Sequence, residues 1–99
     1  MDEIEELTEI FKALSDPTRL RLVKLLDEQQ GAMCVNALAR QLGVTQSAVS
    51  QHLRILRQAR LVSGDRSGPS VHYSLNYDRL AEHTETLQKT LGERFVKMK

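Results

Sequence analysis

Ser47, Ser50, Gln51 and Arg54 stand at i, i+3, i+4 and i+7, the spacing that gathers side chains on one helical face. The face is short, polar and mostly uncharged. Its chemistry is hydrogen bonding to base edges: glutamine pairs bidentately with adenine, arginine with guanine, and serine bonds bases or phosphates. Gln46 precedes this face and Arg57 follows it. The bland alternative is a solvated face, but an exposed helix with nothing to bind more often carries Glu–Lys pairs. Double-stranded DNA is therefore the expected partner.

A helix over 45–59 must carry that face. Thr45 is a good N-cap, and Val49, Leu53 and Leu56 at i, i+4, i+7 form its core side. A shorter helix is expected before it, capped by Asn36 and burying Ala37, Leu38 and Leu42. Gly43 ends this helix in the left-handed conformation, and Val44 is expected to plug the turn. Two helices joined through such a turn make the helix-turn-helix pattern of major-groove readers.

After Ala59 the period changes from helix to strand. Leu61–Arg66 and Ser70–Leu75 read as two strands about the turn Ser67-Gly68-Pro69. The 61–75 hairpin has the position of a wing, with Arg66 at its tip as a minor-groove or phosphate contact. Val71, Tyr73 and Leu75 share one face, which must pack on helices because a lone hairpin is marginal. His72 and Ser74 face outward, His72 toward phosphate or only water.

Upstream, Ile4, Leu7, Phe11 and Leu14 give an amphipathic helix over 3–14, too short to stand alone. Ser15-Asp16-Pro17 breaks it, and Asp16 with Pro17 starts a second helix running to about Glu28. Leu20, Val23 and Leu26, widened by Leu22 and Leu25, mark that helix as central. Arg19, Arg21 and Lys24 are expected on its solvated side, with phosphate contact the alternative. Ala32–Val35 reads as a brief extended segment. A last helix over 77–96 carries Leu80, Leu87, Leu91 and Phe95 in one stripe with Thr84, and Arg94 and Lys97 suit the dipole at its end.

Ninety-nine residues fit a single domain spanning 1–99, with Leu, Val, Ile and Ala filling its core, since the chain has two Tyr, two Phe and no Trp. No apolar run approaches a membrane span and no signal peptide is visible, so a cytoplasmic location is expected. One cysteine cannot form an intrachain disulfide, which agrees with this. The net charge of +1 hides a segregation. Asp2, Glu3, Glu5, Glu6, Glu9 and Asp16 crowd the N-terminus, while Arg40, Arg54, Arg57, Arg60 and Arg66 make the middle basic and attractive to phosphate. No nucleophile–base pair, Gly-rich phosphate loop or set of paired acids points to an enzyme, and no cofactor is expected. A winged-helix protein adaptor is the competing class.

Ser15–Leu26, Gln46–Arg57 and Val71–Leu75, in order across nearly the whole chain, resemble the ArsR/SmtB family of small winged-helix repressors. The resemblance implies a mainly α fold with a small β-hairpin, four helices, two strands and a fifth helix in order. It also implies a transcriptional repressor acting as a homodimer on a palindromic operator. The two terminal amphipathic helices exceed what so small a core needs, and their apolar stripes suit a second copy. The family dimerises through its first and last helices, which here places Ile4, Leu7, Phe11, Leu87, Leu91 and Phe95 at the interface.

Many members of the family release DNA on binding a metal. The arsenic-type site needs Cys-Val-Cys, and this chain has Cys34-Val35-Asn36, one thiolate short. The zinc-type site needs Asp and His two apart on the last helix, and Asp78-Arg79-Leu80 lacks the histidine. His83 beside Glu82 and Glu85 is a remnant read as a lone surface histidine, so no metal site is expected. Cys34 is read as a buried structural cysteine. Its place before a helix N-terminus makes it a candidate redox sensor as the alternative. His52, between the two faces of the long helix, is expected to satisfy a backbone or side-chain hydrogen bond.

Overall fold

A computed structural model describes residues 2–92. Five helices and a small sheet follow one another as α1 (Glu3–Leu14), α2 (Pro17–Gln29), β1 (Met33–Cys34), α3 (Val35–Leu42), α4 (Gln46–Gln58), β2 (Val62–Ser67), β3 (Ser70–Leu75) and α5 (Tyr77–Leu91). The expected winged helix-turn-helix order is therefore present. Phe95, Arg94 and Lys97 lie outside the described residues, but α5 itself closes at Leu91, short of the expected 96, with Gly92 (φ +88) in the C-cap position donating its N–H to Gln88 O at 2.8 Å. Among the described residues no helix is long and apolar enough to cross a membrane.

Local chemistry sets the helix starts. The Glu5 N–H donates to Asp2 Oδ1 at 2.8 Å, the Arg19 N–H to Asp16 Oδ2 at 3.1 Å, and the Ala48 N–H to Thr45 Oγ1 at 3.0 Å. Each cap satisfies an N–H that has no partner inside the helix. Gly43 ends α3 with φ +67, as its freedom at positive φ suggests.

Asn36 does not cap α3. The helix begins at Val35 with Cys34 in the N-cap position, and no side chain caps it. The cause is β1: Met33 and Cys34 pair with Tyr73 and His72, so the extended backbone runs directly into the helix. This pairing also turns the expected hairpin into a three-stranded sheet of order β1-β3-β2. Gly68 (φ +64) and Pro69 close β2 onto β3 between the paired Ser67 and Ser70.

The core gathers Leu22 and Leu26 of α2, Leu38 of α3 and Val49, Leu53 and Leu56 of α4, all at most 1% exposed, over Leu61, Val62 and Leu75. Each such leucine contributes on the order of 1.5–3 kcal/mol by leaving water. Leu20 is 51% exposed and takes no part; the buried stripe of α2 runs through Leu22 and Leu26 instead. Val44 is 37% exposed and lies on the turn rather than plugging it. In β3 only Leu75 is buried, while Val71 to Ser74 are all half-buried, because a central strand is partly covered on both faces.

The C-terminus of α4 closes with an arginine where glycine is usual. The Arg60 N–H donates to Arg57 O and the Leu61 N–H to Leu56 O, both at 2.9 Å, the paired bonds of a Schellman motif. Arg60 holds φ +62 to do so. The motif pins Leu61 in the core and starts β2 one residue later, so it fixes the wing relative to α4.

Candidate nucleic-acid interface

The reading face stands on α4. Its apolar side is anchored by Val49, Leu53 and Leu56, and Gln46, Ser47, Ser50, Gln51, Arg54 and Arg57 are all exposed. Core residues on one side thus hold the polar residues outward on the other, as their interleaved spacing requires. Arg66 is exposed on β2, one residue before the turn of the wing.

The structure places four of these residues in two hollows, while Ser47, Gln51 and Arg66 line neither. Ser50, Arg54, Arg57 and Gln58 line a cleft of about 330 Å³ with Tyr73 of β3. Gln46 lines a second, wider groove with Asn36, Arg40 and Thr45 across the helix-turn-helix. Helical spacing on α4 does not point to Tyr73, Arg40 or Asn36 as part of the face. Tyr73 packs on the core as its strand alternation suggests, yet its half-buried ring also borders the cleft. The available signal was its cross-strand partner: Tyr73 pairs with Gly64, whose missing side chain leaves room for the ring.

His72 belongs to neither hollow. It is half-buried, and its Nδ1 is buried with no hydrogen-bond partner among the described residues. The outward position expected of it is not observed, because β1 pairs with β3 at that point, opposing Cys34 to His72. Arg60 is likewise separated from the face; it lines a cavity with Ile10 and His83.

Arg19 is not solvated. Its Nε donates to Ala13 O at 2.6 Å and its Nη2 to Lys12 O at 3.4 Å, which closes the C-terminus of α1. Its Nη1 lies 3.3 Å from His52 Nδ1 on α4. The hydrogen bond expected of His52 is thus present. Arg21 and Lys24 are exposed. The Arg19 N–H and guanidinium together hold the Asp16 carboxyl below its ordinary value, the backbone bond being the larger cause.

The two candidate sensor residues differ from expectation. Cys34 is half-buried rather than buried, since β1 is an edge strand with one side open. His83 is buried, at 8% exposure, and not a surface histidine. It takes the inward position on α5, while Thr84 is exposed and returns its hydroxyl to Leu80 O at 2.9 Å. Burial pushes the His83 imidazole below its usual value, against the opposing pull of Glu6, whose Oε1 is 3.9 Å from Nδ1. Among the described residues no three His, Cys, Asp or Glu side chains are grouped to hold a metal.

On the terminal helices Ile4 is 59% exposed, Phe11 49% and Leu91 47%, and Leu87 is half-buried. Leu7 is 5% exposed and already buried within the chain. α1 packs on α5, so each amphipathic stripe is covered in part and left open in part.

A capped helix-turn-helix with a polar exposed second helix, flanked by a wing, defines a winged-helix DNA-binding regulator. Residues 16–63 match the family described as bacterial regulatory protein, arsR family. The chain is 42% identical over 92 residues to the transcriptional repressor SmtB homolog of Synechocystis, covering 86% of this chain and 68% of that protein. Among solved structures, an ArsR-like transcriptional regulator from Rhodococcus sp. RHA1 superposes with a TM-score of 0.81 at 27% identity, over 96% of this chain and 88% of that one. NolR from Sinorhizobium fredii gives a TM-score of 0.70 at 34% identity, over 91% and 88%. The chain belongs to the ArsR family of bacterial transcriptional regulators.

Proposed function

We propose that the chain is a repressor that binds a palindromic operator as a homodimer, with α4 in the major groove and the β2–β3 hairpin as wing. One observation carries this reading: the exposed Ser47, Ser50, Gln51 and Arg54 of α4 stand beside a wing that presents Arg66. Gln46, Gln51 and Arg54 read base edges. Ser47 and Ser50 bond bases or phosphates, and Arg57 and Arg66 hold the backbone. His72, on the central strand and half-buried, is the weakest of the proposed contacts.

The dimer forms through α1 and α5, where Ile4, Phe11, Leu87 and Leu91 remain for a second copy. Two-fold pairing sets the recognition helices about 34 Å apart, one turn of DNA. The Synechocystis relative is described as a repressor, which supports the same sign of regulation here. Binding an operator fits the cytoplasmic location expected from the sequence.

Selection of bound DNA from a random library at two salt concentrations tests this directly. A palindrome with half-sites about one helical turn apart is the expected product. Arg54→Ala then relaxes the choice at one base position by about 1–3 kcal/mol, while Arg66→Ala weakens operator and random DNA alike and lowers the salt slope by about one. Equal losses on both DNAs for Arg54→Ala would remove Arg54 from base reading. No enriched sequence at either salt would overturn the proposal.

A further inference from the structure

α1, the end of α4 and α5 enclose a cavity of about 510 Å³, within the range of small-molecule sites. It adjoins the cleft that borders Tyr73, the two sharing Gln58 as a lining residue. Its floor is apolar, from Ile10 and Ala13 of α1 and Ile55 and Ala59 of α4. Lys12 and Arg60 add positive charge, and neither has an ion-pair partner among the described residues. Arg79 also lines it but is paired with Glu82 at 3.2 Å. Glu6 and Glu9 stand on the α1 side.

Two further observations point to a ligand. His83 lines the same cavity, is 8% exposed, and keeps its Nε2 buried without a hydrogen-bond partner among the described residues. Such a group costs stability until something bonds it. Arg60 occupies a left-handed position, φ +62, that glycine would hold at less cost. An arginine there carries a backbone penalty that a glycine would not.

We propose that this cavity binds a small amphipathic carboxylate, its anionic head on Arg60 and Lys12 and its apolar body against Ile10, Ala13, Ile55 and Ala59. A single anionic head fits the two unpaired cations. The apolar floor fits a hydrocarbon or aromatic body better than a fully hydrated anion such as inorganic phosphate. Glu6 and Ala13 lie roughly 200° round α1 from Ile4 and Phe11 respectively, at 100° per residue. On α1 the cavity thus faces away from the exposed apolar stripe. Because the ligand touches the last turn of the recognition helix, its consequence for DNA rests on the regulator reading, whereas its binding does not.

The test titrates the full isotope-labelled chain, without DNA, with 1-naphthaleneacetate, and in parallel with the neutral 1-naphthaleneethanol and the cationic naphthylethylamine. Naphthaleneacetate should shift the amides of 55–60 and the His83 ring saturably, and the two controls should not. Arg60→Gly should raise its dissociation constant about tenfold or more, the loss of one charged hydrogen bond. The same variant should unfold at an equal or higher temperature, since glycine relieves the backbone penalty. Lys12→Gln should weaken binding in the same direction. Equal shifts from all three probes, or unchanged affinity in Arg60→Gly, would overturn the proposal. Failure here leaves the operator selection untouched, and failure of that selection leaves this binding measurement untouched.

Discussion

The Arg19 guanidinium bridges Ala13 O, at 2.6 Å, and His52 Nδ1, at 3.3 Å, and so ties the end of α1 to the middle of the recognition helix. A guanidinium can only donate. In this contact His52 Nδ1 is therefore the acceptor. Asp16 fixes the other end of the arginine residue by accepting its N–H. The reading helix is thereby positioned by polar contacts as well as by its leucines. Arg19→Ala should lower stability by about 1.5–3 kcal/mol, as a partly buried charged hydrogen-bonding group is lost. Arg19→Lys should recover little, because an ammonium cannot span both acceptors in one plane. Urea unfolding with an unchanged slope and a lower midpoint would verify this; a wild-type midpoint would contradict it.

Gly64 and Tyr73 form the second long-range device. A Cβ on Gly64 would come within 2.8 Å of Tyr73 Cε1, closer than real contacts allow, and within a tight 3.2 Å of Val71 Cγ1. Gly64→Ala should push the tyrosine ring out toward the cleft beside Arg54 and Arg57. Operator affinity should fall about fivefold, the equivalent of one ordinary hydrogen bond, with no charge removed and no change in salt slope. Fluorescence anisotropy at several salt concentrations separates this from loss of a phosphate contact. Unchanged affinity would show that the ring does not shape the interface.

Much of the frame was legible in the sequence because it is local. Caps at Asp16 and Thr45, the stop at Gly43 and the core spacing of Val49, Leu53 and Leu56 act over a few residues, and periodicity reports them. Arg19 and His52 are 33 residues apart, and nothing in the pattern around Arg19 distinguishes a tied arginine from a solvated one. The ring of Tyr73 could be placed on a face, but its second neighbour, the Arg54 cleft, depends on how the wing meets α4. On α5 the sequence offers two stripes of the same helical period, Leu80, Thr84 and Leu87 or Leu80, His83 and Leu87, and periodicity alone does not choose between them. The structure buries His83 and exposes Thr84. Asn36 failed as a cap for another reason: a two-residue strand had already fixed the backbone before it.

The open part of the terminal stripes predicts a clean contrast between two residues. Phe11 is 49% exposed and Leu7 is 5% exposed on the same helix. Phe11→Glu should leave the fold intact and shift sedimentation from dimer to monomer, since an unpaired charge in an apolar interface is costly. Leu7→Ala should instead lower stability by about 2–5 kcal/mol through the cavity it leaves. A Phe11→Glu protein that stays dimeric would move the interface elsewhere.

Acid should destabilise the fold in two separate windows, and His83 owns the upper one. Burial holds its folded pKa below 6.5, with Glu6 opposing. The unfolded chain therefore takes up the proton first as pH falls. The contribution of the neutral ring is complete above 6.5 and is lost as the pH drops from there through the lowered folded value. Asp16 acts lower, its folded pKa held below 3.8 chiefly by the Arg19 N–H. Its contribution is present above 3.8 and lost as the pH falls through the depressed value. Unfolding free energies measured by urea between about pH 7 and 5 should fall more for the wild type than for His83→Gln. Glu6→Gln should steepen the same fall, because the carboxylate that favours the imidazolium is gone. Parallel curves for wild type and His83→Gln would show that the ring gains its proton equally in the folded and unfolded chain. Burial of His83 would then have no energetic consequence.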